Sequence, residues 1–149
     1  MRPIPAVPAE AGEILTLQRA AFAVEAQRYH DPFLPPLVEP LESVLAAIVA
    51  GDVLVLRVGG RLVAAVRRRV ADGEVRIGRL VVAPDQQGRG YGSLLLAAAE
   101  DVPGARAAVL FTGGESAANL GLYTRRGYVE FARSSEPGGV ELVHLRKPL

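Results

Sequence analysis

Apolar residues along this chain recur with two different periods, and the changes between them mark out the elements. From about Glu10 to Arg28, Ile14, Leu17, Ala21 and Val24 are spaced by three, four and three residues, the repeat of one buried helical face. Ahead of that helix, Ile4 to Val7 reads as a short strand, and Pro3, Pro5 and Pro8 suit it to a sheet edge, since proline has no ladder donor. The segment His30 to Pro40 carries four prolines and breaks the helix. A second helix is predicted over about Leu41 to Ala50, ending at Gly51, the residue that favours a helix C-terminus.

The period then changes to two. Val53 to Val58 and Arg61 to Val70 read as strands joined by Gly59-Gly60, and Asp72-Gly73 turns the chain into a third strand from about Glu74 to Val82; such dipeptides are hairpin signals. A Gly-rich turn and a helix to about Asp101 follow. Ala107 to Phe111 is all-apolar, as for a central strand covered on both faces. Ser116 to Arg126 reads as a helix with Ser116 as its N-cap, two Arg in the last turn and Gly127 behind it. Tyr128 to Ser134 and Val140 to Arg146 close the chain as strands. The order β-α-α-β-β-β-α-β-α-β-β implies an α+β domain with one mixed, mostly antiparallel sheet. The Gly-turn helix is its one parallel crossover, right-handed as such connections are.

Composition narrows this picture. At 149 residues, half of them hydrophobic and with mean hydropathy +0.22, the chain is expected to be one domain, residues 1–149, with an Ala/Val/Leu core. No Cys is present, which removes disulfides, thiolate nucleophiles and Cys-ligated metals. His30 and His144 give no metal-ligand spacing, so no metal is expected. Seventeen basic residues against sixteen acidic ones leave a net charge of +1, which advertises no polyanion surface. All basic residues but Lys147 are Arg, a bias that fits a GC-rich genome. The Arg67-Arg68-Arg69 triplet alternates faces if it lies in a strand and is read as a solvated edge rather than a nucleic-acid patch. The longest apolar run, Val44 to Ala50, has seven residues, far short of a membrane span, and the N-terminus lacks the apolar core of a secretory signal. A soluble, cytoplasmic protein is expected.

The stretch from Leu80 to Leu96 is the informative one. A β-branched strand runs into Gly88, Gly90 and Gly92, and an Ala/Leu helix begins at once. Closely spaced glycines let successive backbone N–H groups face one concavity, and a helix N-terminus adds positive potential, so the turn suits a pyrophosphate or other anion. Arg89 and Gln87 offer side-chain donors. A P-loop would need a Lys that is missing, and a dinucleotide fingerprint begun at Gly88 would need Gly at 93, where Ser93 stands.

The run Gln87-Gly88-Arg89-Gly90-Tyr91-Gly92, after Leu80-Val81-Val82 and the bend Ala83-Pro84-Asp85, fits Q-x-x-G-x-G. It resembles the acyl-CoA-binding motif of the GNAT superfamily of N-acetyltransferases. The segment Asn119-Leu-Gly-Leu-Tyr123-Thr-Arg-Arg-Gly127-Tyr128 is similar to that family's later helix-to-strand segment. The two motifs lie about 30 residues apart, each in its required strand or helix context. The resemblance implies a GNAT-like domain with helices on both faces of the sheet. It also implies acetyl-CoA as cosubstrate in a cleft where the strand before the Gly turn splays from the next. The pantetheine arm would pair with Val81 and Val82, Leu80 and Ala83 would flank it, and the pyrophosphate would rest on the N–H groups of Gly88 through Gly92, with Gln87, Arg89, Tyr91 and Ser93 among the cofactor-binding residues.

Further roles follow from the resemblance. The chemistry is attack of a neutral amine on a thioester with expulsion of a thiolate; Tyr123 is its implied general acid and Asn119 a cofactor contact. The family's strand carboxylate is missing, since Arg76 and Arg79 occupy that stretch. Glu74, at the hairpin edge, and Glu25, flanking the first helix's apolar stripe, remain open as the base. Glu25, Tyr29 and Phe33 are candidate acceptor contacts. The implied function is transfer of acetyl to a primary amine of a small molecule or peptide, in a homodimer paired through a sheet edge near Val140 to Leu145. A non-catalytic acyl-CoA sensor is the alternative.

Overall fold

A computed structural model describes residues 1–149. Its strands are β1 (Ile4–Pro5), β2 (Val53–Val58), β3 (Arg61–Ala71), β4 (Glu74–Val82), β5 (Ala107–Gly113), β6 (Val129–Ser135) and β7 (Glu141–Pro148). Its helices are α1 (Ala11–Tyr29), α2 (Pro35–Val38), α3 (Leu41–Val49), α4 (Tyr91–Glu100) and α5 (Ala117–Arg125). The strands form one sheet in the order β1-β2-β3-β4-β5-β7-β6. Only β4 and β5 run parallel, joined through α4. This is the expected α+β domain.

Alternation in β2 shows why four successive residues are buried. Leu54 and Leu56 join the core under α4 and α5, while Val53 and Val55 join the core under α1 and α3, so both faces of the strand are covered. Both hairpin turns carry positive φ at their two central residues, Gly59 and Gly60 (58° and 81°) and Asp72 and Gly73 (54° and 75°). That is the twist-matched geometry of two-residue hairpins.

Four sequence expectations are corrected. Val24 is 49% exposed because the C-terminal half of α1 crosses an opening in the sheet, where Phe22 and Glu25 point inward instead. Phe111 is 55% exposed, since no helix covers that face of β5. Strand β7 is not an edge: it pairs with β5 on one side and β6 on the other, which leaves β6 as the edge. Strand β3 is interior as well, and Arg67 is bound to the buried Glu39. Arg68, on the opposite face, donates to the Ala98 carbonyl near the end of α4. No helix is long and apolar enough to cross a membrane.

Candidate active site

The sheet forks between β4 and β5. Their parallel ladder holds only at Glu74–Ala107, Val75–Ala108 and Arg76–Val109. Beyond it, the β5-facing edge of β4 from Ile77 to Val82 is unpaired, and its backbone groups stand free for an added strand. A bulge sits on the same strand. Ala65 pairs with Val81 but Arg67 with Gly78, so Arg79 and Leu80 together oppose Val66. Arg79 absorbs the extra residue at φ +48°.

The cleft opened by the fork has two connected hollows of about 170 and 490 Å³. Phe22, Glu25, Leu80 and Asn119 line both. The larger runs along Val81 and Val82 to Gln87, Gly88, Gly90, Tyr91, Gly92 and Ser93. There Gly88 and Gly90 have φ of +78° and +82°, conformations that only glycine adopts without strain. The first hydrogen-bonded amide of α4 is that of Leu94, to the Gly90 carbonyl at 3.1 Å. The amides from Gly88 to Ser93 donate no hydrogen bond within the protein, an arrangement that suits an anion. A Cβ built on Gly88 or Gly90 meets nothing within 4 Å, so the cradle has room for a phosphate group. Arg28 and Arg125 also line this hollow, whereas Arg89 is exposed and does not. The donor set fits the pyrophosphate of coenzyme A.

At the base of the fork stands Tyr123. Its ring packs edge-on against Tyr128 at 5.9 Å, and its hydroxyl makes no hydrogen bond within the protein. Burial pushes its pKa up to about 12, so it remains a proton donor through neutral pH. One turn earlier on α5, Asn119 Nδ2 donates to Thr112 Oγ1 at 3.4 Å. Tyr123, Asn119 and Glu25 thus meet at one place. Glu25 accepts from Arg28 Nη1 at 2.5 Å and from Ser116 Oγ at 3.3 Å. Ser116 therefore does not cap α5 with its side chain, as the sequence suggested; its hydroxyl is drawn to α1 instead.

Two other expected site residues lie elsewhere. Glu74 is at the closed end of the fork, in an ion pair with Arg146, and cannot reach the cleft. Phe33 is 74% exposed: the Asp31 carboxylate accepts from the Phe33 amide at 2.8 Å and turns the ring outward. Tyr29 does line the smaller hollow, with Leu34, Pro35, Pro36, Glu136 and Val140. Sequence reasoning missed Glu136 and Phe22, which carry no local signal, and read Ser116 only as a cap; the tertiary fold alone assembles them at the cleft.

A family model described as an acetyltransferase (GNAT) domain matches residues 50–130. Solved structures agree over the whole chain. The PaiA N-acetyltransferase of Thermoplasma acidophilum, solved with coenzyme A, has a TM-score of 0.80 at 14% identity, covering 99% of this chain and 98% of its own. A ribosomal-protein-alanine N-acetyltransferase of Brucella melitensis gives 0.78 at 17%, covering 100% of both. YncA of Salmonella typhimurium, a putative acetyltransferase solved with acetyl-CoA, gives 0.77 at 20%, covering 100% and 94%. No curated protein matches in sequence. With the forked sheet, the glycine cradle and the matched domain, this chain belongs to the GNAT acetyltransferase family.

Proposed function

We propose that the protein acetylates a primary amine of a small molecule or peptide, using acetyl-CoA. The observation that carries this reading is the meeting of three things in one cleft: the unpartnered amides of Gly88 to Ser93, the free edge of β4 and the Tyr123 hydroxyl. Acetyl-CoA supplies an activated acyl group and a thiol leaving group. The amides from Gly88 to Ser93, with Arg28 and Arg125 near them, hold its pyrophosphate. Val81 and Val82 pair with its pantetheine arm. Asn119, anchored on Thr112, orients the reacting end.

Two proton movements remain. The amine must lose a proton, and Glu25 is the carboxylate at the junction of the two hollows. Tyr123, kept protonated by burial, gives a proton to the departing sulfur. A second reading, a non-catalytic acyl-CoA sensor, is favoured by the engagement of Glu25 with both Arg28 and Ser116. Release of free thiol from acetyl-CoA across a panel of amines separates the two. Amine-dependent release supports catalysis, and tight binding without release supports the sensor.

The homodimer reading now rests on β6. Val129 and Phe131 on this edge strand are 68% and 59% exposed. Antiparallel pairing of two copies about Phe131 and Ala132 would set Glu130 of each opposite Arg133 of the other, a self-complementary edge. Light scattering at micromolar concentration tests it; a monomer mass would reject it.

A further inference from the structure

The β4 wall of the cleft carries a positive charge that the protein leaves half satisfied. Arg79 sits on the bulge at φ +48°, a conformation that side-chain-bearing residues hold only where surrounding structure enforces it. Its side chain is only 25% exposed. Of its guanidinium donors, Nε alone meets a protein acceptor, Glu39 Oε1 at 3.4 Å.

Glu39 has little to spare for it. The same buried carboxylate takes Arg67 through both Nη atoms at 2.9 and 3.0 Å, Gln18 Nε2 at 3.0 Å and Ser43 Oγ at 2.6 Å. One carboxylate therefore faces two guanidinium groups, and the charge of the half-buried Arg79 is only partly compensated. Such a group is costly unless a counter-charge arrives. Burial draws the Arg79 pKa below its usual value, with Glu39 opposing that shift.

The position of Arg79 says where the counter-charge belongs. Arg79 lines the smaller hollow together with Tyr123 and Glu25, and it also lines a groove beside α3. The two share Ile77, Gly78 and Phe111. A side chain at Gly78 would meet nothing within 4 Å, so there is open space beside Arg79 on that strand. In that groove Arg67, already held by Glu39, and Arg76, 4.0 Å from Asp72, stand with Arg68 and Arg69 beside one lining acid, Asp52. The cleft thus has the Arg79 guanidinium on its β4 wall and two carboxylates, Glu25 on α1 and Glu136 after β6. An acceptor with an amine at one end and an anion at the other matches both signs of charge.

We propose that Arg79 binds a carboxylate of the acceptor, so that the amine acetylated belongs to a small amino acid; this rests on the acetyl-transfer reading above. A guanidinium fork pairs with a carboxylate through two parallel charge-assisted hydrogen bonds. A site built to satisfy such a group discriminates against the analogue that lacks it.

The test uses matched pairs, a panel of amino acids and the carboxamide of each, assayed by thiol release from acetyl-CoA. At least one acid should exceed its amide by about tenfold or more in kcat/KM, carried by KM. In Arg79→Gln that preference should collapse to near unity, and Arg79→Lys should restore part of it. Unchanged acetyl-CoA affinity by calorimetry shows that each variant is folded. Equal or better use of the amides by the wild type, or a preference that survives in Arg79→Gln, overturns the proposal. In parallel, calorimetry on the coenzyme A-loaded protein compares binding of the two series. Binding of the acids without thiol release would overturn acetyl transfer and leave the Arg79 preference standing. Binding of neither series would overturn the proposal itself.

Discussion

The Tyr29 hydroxyl accepts a hydrogen bond from the Glu115 amide at 2.9 Å, fastening the end of α1 to the turn between β5 and α5. The ring lies directly over Gly113, where a Cβ would come within 2.2 Å of the Tyr29 oxygen. One turn back on α1, Glu25 accepts from Ser116 in the same turn. These two contacts hold the roof of the cleft above Tyr123.

Gly113→Ala should therefore dislodge the Tyr29 ring and cost about 1–2 kcal/mol of stability, the scale of one hydrogen bond plus local overpacking. Gly113→Ala combined with Tyr29→Ala should cost less than the sum of the two single changes. Thermal or denaturant unfolding of the four proteins measures this, and strict additivity would show that the two residues do not press on each other.

Stability should fall on acidification through Glu39. Burial raises its pKa, but hydrogen bonds from Arg67, Ser43 and Gln18 outweigh that and hold the carboxyl far below its usual range. A carboxyl depressed in the folded state contributes stability that is complete above its unfolded pKa of about 4.3 and is lost as pH falls through the folded value. Unfolding midpoints should accordingly hold from pH 5 to 7 and decline below about pH 4. Glu39→Gln should flatten that decline and cost about 3–5 kcal/mol at neutral pH, because Arg67 and Arg79 are left without their carboxylate.

The glycine cradle is tested by Gly90→Val. No atom of the protein blocks the new side chain, so the effects come from the positive φ and from the methyl groups standing where a phosphate would lie. Calorimetry should show acetyl-CoA affinity reduced at least tenfold, with the far-UV spectrum of the folded protein retained. Wild-type affinity in the folded variant would remove the turn from the site.

Much of the fold was legible because local chemistry and tertiary structure agree. Gly59-Gly60 and Asp72-Gly73 bound β2, β3 and β4 to within a residue of the expected limits, since positive φ at those pairs is itself a sequence property. The cradle was legible for the same reason. What failed depended on partners distant in sequence. Val24 follows the helical period yet faces water, because α1 there spans the fork rather than a core. Ser116 looks like a cap until Glu25, 91 residues away, claims its hydroxyl. The order that makes β6 the edge, and the bulge that sets Arg79 beside Glu39, arise from strand pairing, which no local pattern encodes.

If this cleft transfers acetyl groups with the Tyr123 hydroxyl as proton donor, one conservative substitution exposes it. Tyr123→Phe keeps the ring that packs on Tyr128 and removes only the oxygen, which bonds to nothing else in the protein. The direct measurement is kcat with the best amine of the panel, beside acetyl-CoA affinity by calorimetry, for wild type and Tyr123→Phe. The expected result is a fall in kcat of about 10²–10⁴ with affinity changed less than about threefold. Near wild-type kcat on a chemistry-limited substrate would show that the hydroxyl is not the proton donor and leave Tyr123 as packing alone.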